Sequence, residues 1–171
     1  MDEQYTRIAD WPLVQQKIKR LAFEIAEDNY DEPEIIIAGI CHNTEGYALA
    51  MHLHDQLKKI VSARIVLTHI ELDKGRPADS PVQIAMSEAD INGKVVVLVD
   101  DVSNSGRTLL YAMKPFLDYH PKKIQMAVLV ERTHKQFPLQ PDYVGLSLST
   151  TIQEHITVVI SRAGEEGIYL S

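Results

Sequence analysis

The chain has 171 residues, of which 45% are hydrophobic and 24% are charged, so its composition is that of an ordinary globular protein. This length predicts a single domain over residues 1–171, large enough to form a core without disulfides. The 17 Lys and Arg residues against 24 Asp and Glu residues give a net charge of −7, which makes RNA an unexpected partner. The longest apolar run, Ile35–Cys41, is far shorter than the about 20 residues of a membrane-spanning helix, so we expect no membrane partner.

The N-terminus and the cysteine content both favour a reducing compartment. Met1–Asp10 is polar and acidic and is not typical of a signal peptide. Cys41 is the only cysteine and cannot form an internal disulfide. We therefore expect the protein to be cytoplasmic.

The first half of the chain alternates predicted helices and strands. Asp10 is a plausible N-cap for a helix over Trp11–Asn29, whose apolar residues have helical spacing. Apolar patterns then predict a strand, a helix and a strand, over Glu34–Ile40, Gly46–Ile60 and Ala63–Leu72. Asp73–Asp90 contains Gly and Pro and has poor periodicity, so it is predicted to be mostly loop.

The second half continues the alternation and then becomes rich in strands. Val95–Val99 is a buried strand, and Thr108–Tyr119 is a helix that Pro115 is expected to kink or end. Four further strands are predicted over Ile124–Val130, Gln140–Leu148, Ile156–Ile160 and Ile168–Leu170. Solid apolar strands between helices predict an α/β fold with a central parallel sheet and helices on both faces.

Ligands of such sheets bind at the carboxyl ends of the strands. In this chain three predicted strand ends qualify, namely Cys41–Gly46, Asp100–Thr108 and Glu131–Pro138. These three segments are therefore the first candidates for catalytic and ligand-binding residues.

The most informative segment is Val95–Thr108, V-V-V-L-V-D-D-V-S-N-S-G-R-T. Its buried strand carries Asp100 and Asp101 to the edge of the sheet, and a loop of small residues leads into a helix. Backbone N–H groups at the start of a helix bind anions, and carboxylates accept hydrogen bonds from sugar hydroxyls. The combination predicts a site for a sugar phosphate.

An apolar strand that ends in Asp-Asp also occurs in P-loop nucleotide hydrolases and in phosphoacceptor domains, and a simple capped turn can begin in the same way. The chain has neither G-x-x-x-x-G-K-[ST] nor G-x-G-x-x-G, which argues against P-loop and dinucleotide sites. A generic turn does not require the whole string of residues.

This segment resembles the phosphoribosyl pyrophosphate motif of type I phosphoribosyltransferases, an apolar strand followed by D-D-V-x-x-[ST]-G-x-T. The matching residues are Asp100, Asp101, Val102, Ser105, Gly106 and Thr108. Ala127–Gly145 is similar to a region of the bifunctional pyrimidine-operon attenuator and uracil phosphoribosyltransferase proteins, and Gly39–Ala50 to the pyrophosphate loop and its helix. The resemblance covers roughly residues 34–160.

The resemblance implies a type I phosphoribosyltransferase fold with a small hood built from the chain ends. It also implies an enzyme that transfers the phosphoribosyl group of phosphoribosyl pyrophosphate to a nucleobase and releases pyrophosphate. Mg²⁺ is the implied cofactor, held mainly by the substrate near Asp100 and Asp101. Relatives are often dimers, so a homodimer is expected by analogy.

The resemblance also assigns roles to particular residues. Asp100 and Asp101 are the catalytic pair that holds the ribose hydroxyls. The other assignments are a 5′-phosphate site of Val102, Ser103, Asn104, Ser105, Gly106, Arg107 and Thr108, a pyrophosphate loop of Cys41, His42, Asn43, Thr44, Glu45 and Gly46, a lid with Lys74 and Arg76, and a base side with Arg132 and His134.

Some positions depart from the family pattern. Glu45 stands where the family usually has a basic residue, so we expect its carboxylate to face the diphosphate, and the lid has only two cations. Asn104 is an Asp in purine-using relatives, and an Asn cannot act as a base, which favours a pyrimidine-like substrate such as uracil. The rival hypothesis is a non-catalytic or regulatory protein that binds nucleotides or phosphoribosyl groups on the same fold, with a degraded pyrophosphate loop.

Overall fold

A computed structural model describes residues 5–41, 44–151 and 153–171, and of Thr44 only the backbone. The strands are β1 (Thr6–Asp10), β2 (Glu34–Cys41), β3 (Arg64–Glu71), β4 (Gln83–Ile84), β5 (Val95–Ser103), β6 (Lys123–Arg132), β7 (Tyr143–Leu148), β8 (Ile156–Val159) and β9 (Gly167–Leu170). The helices are α1 (Trp11–Asp28), α2 (Thr44–Ile60), α3 (Glu88–Ile91) and α4 (Arg107–Ala112), and a 3₁₀ turn covers Lys114–Phe116.

The central sheet has the strand order β4-β3-β2-β5-β6-β7. All neighbouring strands are parallel except β4, which pairs antiparallel with β3. Alternate residues of β2 and β5 pack on opposite faces, against α1 and α2 on one side and against α3 and α4 on the other. The predicted α/β fold with a mostly parallel, doubly covered sheet is confirmed.

A second sheet, which we call the hood, has the order β1-β9-β8 and is antiparallel. It joins the two chain ends, as the family resemblance implied. Val158, Ile160 and Ile168 of this region belong to the same core cluster as α1 and α2. The hood is therefore packed on the helices beside the carboxyl edge of the central sheet.

Some predicted boundaries were wrong for identifiable reasons. The helix expected over Thr108–Tyr119 ends at Ala112 and continues as a 3₁₀ turn, because Pro115 cannot donate a helical hydrogen bond. Strand β7 begins at Tyr143 rather than Gln140, just after Pro141. In the predicted loop 73–90 the structure adds β4 and the start of α3, whose N-terminus has a capping box between Ser87 and Asp90.

Candidate active site

Strand β5 extends four residues beyond the predicted Val99, to Ser103, and this extension carries both carboxylates. Asp100 is fully buried and Asp101 nearly so, because β5 lies between β2 and β6 near the centre of the sheet. The backbone N–H of Asp101 donates to Asp100 Oδ1 at 3.1 Å. The two carboxylates thus form one rigid, largely desolvated pair.

Lys74, from the predicted lid after β3, reaches this pair. Its Nζ lies 2.7 Å from Asp100 Oδ1 and 3.1 Å from Asp101 Oδ1. Asp100 Oδ2 is buried and has no hydrogen-bond partner within the described residues. The pair therefore holds one cation of the chain itself, and Asp100 Oδ2 is the carboxyl oxygen left for a ligand.

The surroundings shift the pKa values of the two carboxyl groups in opposite directions. Burial, together with the neighbouring Asp101 charge, raises the pKa of Asp100 well above its usual value. Burial also disfavours the charged form of Asp101, but the Lys74 ammonium and the hydrogen bonds outweigh it and lower the pKa of Asp101. The pKa of Lys74 is raised, since the two Asp charges overcome its own burial. At neutral pH the cluster favours protonated Asp100, ionised Asp101 and charged Lys74.

The loop after β5 turns sharply into α4. Gly106 has φ of +82°, a conformation that favours glycine, and α4 starts at the next residue. Ser105 O accepts hydrogen bonds from Gln136 N at 3.0 Å and from Phe137 N at 3.1 Å, which fixes the loop to the segment after β6. The loop backbone is therefore held in place from two sides.

The structure brings the predicted catalytic pair and the predicted phosphate loop into one cleft of about 280 Å³. It is lined by Lys74, Asp100, Asp101, Val102, Ser103, Asn104, Ser105, Gly106, Arg107, Thr108, Leu109 and Ile156. Sequence reasoning missed Ile156, which begins β8 and lies far from the motif along the chain. Arg76, the other predicted lid cation, is exposed, and its carbonyl accepts hydrogen bonds from Asp79 N and Ser80 N.

The two residues predicted on the base side hold a neighbouring segment. Arg132 is buried, and it donates from Nε to Thr150 Oγ1 at 2.7 Å and from a terminal nitrogen to Thr151 O at 2.8 Å. His134 Nε2 lies 2.6 Å from Thr150 O. Both residues therefore position the chain between β7 and β8, beside another pocket that shares Asn104 and Ser105 with the cleft.

The sequence places Lys135 in a small basic cluster with Arg132 and His134, a pattern as typical of a solvated loop as of a substrate or partner site. Lys135 Nζ donates to Ser103 Oγ at 2.6 Å and pairs with Glu131 at 3.1 Å. An acidic and a basic residue four positions apart usually indicate an ion pair on a helix. Glu131 and Lys135 form such a pair although Glu131 lies near the end of strand β6.

The predicted pyrophosphate loop is only partly described. Cys41 ends β2 and is exposed, His42 and Asn43 lie outside the described residues, and Thr44 begins α2. Gly46 packs so closely that a Cβ there would lie 2.6 Å from Ile40 O and 3.1 Å from Asp100 Oδ1. The start of α2 thus lies directly against the catalytic pair.

The expectation that Glu45 faces the diphosphate was wrong. Its carboxylate is buried and turns to the hood, where Oε2 accepts from Ile160 N at 2.6 Å and from Ser161 N at 2.9 Å. Oε1 accepts from Ser161 Oγ at 2.6 Å. These donors follow the end of β8, and the carboxylate satisfies the buried N–H of Ile160 as well as the two donors of Ser161.

Within the described residues, no helix is long and apolar enough to cross a membrane, and no cluster of three or more His, Cys, Asp or Glu side chains forms a metal site. Among the acidic side chains that the structure describes, a divalent cation at the cleft would therefore meet the two aspartates.

Comparison with known proteins agrees with this geometry. Residues 4–161 match the family described as phosphoribosyl transferase domain. A bifunctional protein PyrR of Ligilactobacillus salivarius is 32% identical over 96% of this chain and 97% of its own length. A bifunctional protein PyrR of Bacillus pumilus is 31% identical over 97% of this chain and 96% of its own length.

Solved structures share the fold at lower identity. A hypoxanthine-guanine phosphoribosyltransferase of Bacillus anthracis superposes with a TM-score of 0.72 over 96% of each chain, at 21% identity. Strand order, buried aspartate pair, glycine turn and family match therefore agree, and the chain belongs to the phosphoribosyltransferase family and is an enzyme of that class.

Proposed function

We propose that the protein transfers the phosphoribosyl group of phosphoribosyl pyrophosphate to a pyrimidine-like base, first of all uracil, with release of pyrophosphate. The observation that carries the proposal is the single cleft in which Asp100 and Asp101 face the loop of residues 103–108. The similarity to bifunctional PyrR proteins and the amide at Asn104 support a pyrimidine over a purine.

In this reaction the chain binds the two ends of the ribose phosphate. The N–H groups and hydroxyls of residues 103–108 hold the 5′-phosphate. Asp101 accepts hydrogen bonds from the ribose hydroxyls, and Oδ2 of protonated Asp100, which has no partner among the described residues, donates to a ribose oxygen. The fixed negative charge of Asp101 also stabilises positive charge that develops on the sugar as the diphosphate leaves.

The carboxylate of Asp101 and, once it is ionised, that of Asp100 would be hard oxygen ligands that fit a site which Mg²⁺ shares with its substrate. When bound, Mg²⁺ would neutralise the diphosphate and ease its departure. Lys74 contacts the same two carboxyl groups, so a Mg²⁺ held there would share them with the ammonium group or replace it.

The test is product formation with phosphoribosyl pyrophosphate, Mg²⁺ and a panel of uracil, orotate, hypoxanthine and guanine. We expect the monophosphate of a pyrimidine and an equal amount of pyrophosphate. The double variant Asp100→Asn, Asp101→Asn should keep its thermal transition and lose ribose 5-phosphate binding, since each bond to a charged acceptor contributes about 1.5–3 kcal/mol. Exclusive use of purines would overturn the assignment of the base.

A second candidate function is regulatory binding of nucleotides on the same fold. It is favoured by position 45, where the family usually has a cation and this chain has Glu45, whose carboxylate is turned to the hood and offers the diphosphate no positive charge. Binding of ribose 5-phosphate and nucleoside monophosphates without turnover on any base would support it.

We further infer a homodimer from the family resemblance and a cytoplasmic location from the cysteine content. Light scattering on the purified protein tests the first inference, and fractionation of cells that express the chain tests the second.

A further inference from the structure

The carboxylate of Glu45 joins the start of α2 to the hood. We infer that Glu45 is a positioning residue that latches the hood over the cleft and thereby keeps water away from the reacting sugar. The inference rests on the proposed function, because it concerns the same phosphoribosyl transfer.

The contact has the features of a latch rather than of a surface ion. Glu45 is only 7% exposed, and its two oxygens accept from Ile160 N, Ser161 N and Ser161 Oγ at 2.6 to 2.9 Å. Both backbone donors lie directly after β8. A single side chain therefore holds the end of one hood strand to the helix that starts beside the catalytic pair.

Two neighbours connect this latch to the cleft. On the core side, Gly46 follows Glu45 and packs against Asp100, with no room for a Cβ. On the hood side, β8 begins with Ile156, which lines the cleft together with Asp100 and Asp101. A displacement of the end of β8 is therefore transmitted along the strand to an apolar side chain at the site.

The chemistry explains why an apolar side chain matters there. The anomeric carbon, after its bond to the diphosphate oxygen breaks, is attacked by whichever nucleophile is nearest. Attack by the base nitrogen, whose proton passes to solvent, gives the nucleotide, whereas attack by water, which also loses a proton to solvent, gives ribose 5-phosphate. Exclusion of water from the site favours the first outcome.

The experiment compares Glu45→Ala, Glu45→Gln and Ile156→Ala in the full chain. Products from phosphoribosyl pyrophosphate, Mg²⁺ and uracil are counted by ³¹P NMR, as the ratio of ribose 5-phosphate to nucleotide. We expect Glu45→Ala to raise this ratio by about tenfold, the effect of losing one bond to a charged group. Ile156→Ala should also raise the ratio, because it removes the apolar side chain that lines the cleft. Glu45→Gln, which keeps one acceptor oxygen, should raise the ratio less.

The matched control is Glu165→Gln, since Glu165 also lies near the hood but its carboxylate forms an exposed ion pair with Arg162. This variant should leave the product ratio unchanged. An unchanged ratio in Glu45→Ala and in Ile156→Ala would overturn the inference. Tighter binding of phosphoribosyl pyrophosphate by Glu45→Ala would also overturn it, because that result places the carboxylate against the diphosphate.

A second readout does not depend on transfer to a base. Hydrogen exchange at the amides of Ile160 and Ser161 should accelerate at least about tenfold in Glu45→Ala and stay unchanged in Glu165→Gln. If no base is accepted but exchange accelerates, the proposed function fails and the latch stands. If uracil is converted but exchange and product ratio do not change, the latch fails and the function stands.

Discussion

Asp100 has an unusual environment for a carboxyl group, because it is fully buried and shares the Lys74 ammonium with Asp101. Its raised pKa means that the folded protein binds a proton which the unfolded chain has already released at neutral pH. The contribution of Asp100 to the free energy of unfolding is fully present below the ordinary pKa of an aspartate. It is lost as the pH rises through the raised pKa of the folded state. Asp101 behaves in the opposite way and stabilises the fold above its ordinary pKa.

The directions of these pKa shifts predict how Asp100→Asn changes the stability of the protein without added ligand. Asparagine imitates the protonated acid, so the variant should gain free energy of unfolding over the wild type, and the gain should grow from pH 6 to pH 9. We expect at least about 1.4 kcal/mol at the upper end, the equivalent of one pKa unit. Thermal melts of both proteins at both pH values measure it. A variant that loses stability at pH 9 would show that Asp100 is ionised and paired with Lys74.

Gly106 offers a second test at a single residue. Its φ of +82° strains any other residue, and a Cβ would lie 3.3 Å from Leu139 O. Gly106→Ala should destabilise the fold by about 1–2 kcal/mol and shift the loop. We expect ribose 5-phosphate to bind at least about tenfold more weakly in calorimetry.

Gly93→Ala is the matched control, since Gly93 has φ of +74° and open space around its Cβ position. It should show the backbone strain without the loss of affinity. Equal affinities for ribose 5-phosphate in the two variants would show that the turn at Gly106 does not shape the phosphate site.

At the level of elements, the segment between β7 and β8 depends on Arg132. Arg132→Met removes the donors to Thr150 and Thr151 and leaves their oxygens without these partners, at a cost of about 1–3 kcal/mol. We expect the KM for the base to rise severalfold while the KM for phosphoribosyl pyrophosphate stays the same. Steady-state kinetics with each substrate varied in turn separates the two constants.

Arg162→Met is the control for that experiment, because Arg162 is exposed and pairs with Glu165 on the surface. Neither KM should change in this variant. A parallel rise of both constants in Arg132→Met would mean that the segment supports the whole cleft rather than the base side.

The elements also show which parts of the structure local sequence can predict. The strands β2, β5 and β6 were predicted because both of their faces are buried, so that nearly every residue along them is apolar. Strand β1 was missed, since it is short and mostly polar and depends on pairing with β9. In such a strand, tertiary pairing rather than local pattern decides the conformation.

The residues of the site likewise fall into those that local sequence predicts and those that depend on tertiary packing. The aspartate pair and the glycine turn are contiguous in the chain, so their spacing alone predicted that they lie together. Lys74 was placed in a lid, but its position between the carboxylates depends on how β3 and β5 are ordered in the sheet. The partners of Glu45 and the position of Ile156 require the packing of the hood, which no local pattern encodes.

At the level of the whole molecule, the hood and the central sheet share one apolar core through α1 and α2. We therefore propose that residues 1–171 unfold as a single domain. Trp11, the only tryptophan, lies where β1 passes into α1, and its ring is 5.4 Å from that of His52 in α2. Its fluorescence reports the hood junction, whereas far-UV circular dichroism reports all the helices and strands.

The two signals should give the same midpoint in a urea titration. An earlier midpoint for Trp11 fluorescence would mean that the hood detaches before the sheet unfolds, and the assignment of one domain would then be wrong.

The pairing of the two chain ends has a consequence for synthesis on the ribosome. Arg7 and Tyr169, which contact each other across β1 and β9, are 162 positions apart. The backbone donor Ile160, which binds Glu45, lies 115 positions after it in the chain. The strands from β2 to β5 leave the exit tunnel well before these partners do, whereas β7 precedes β8 by only a short segment. The nascent chain therefore carries an unpaired first strand and an open cleft through most of its translation, and it completes its catalytic chamber only when the hood strands emerge.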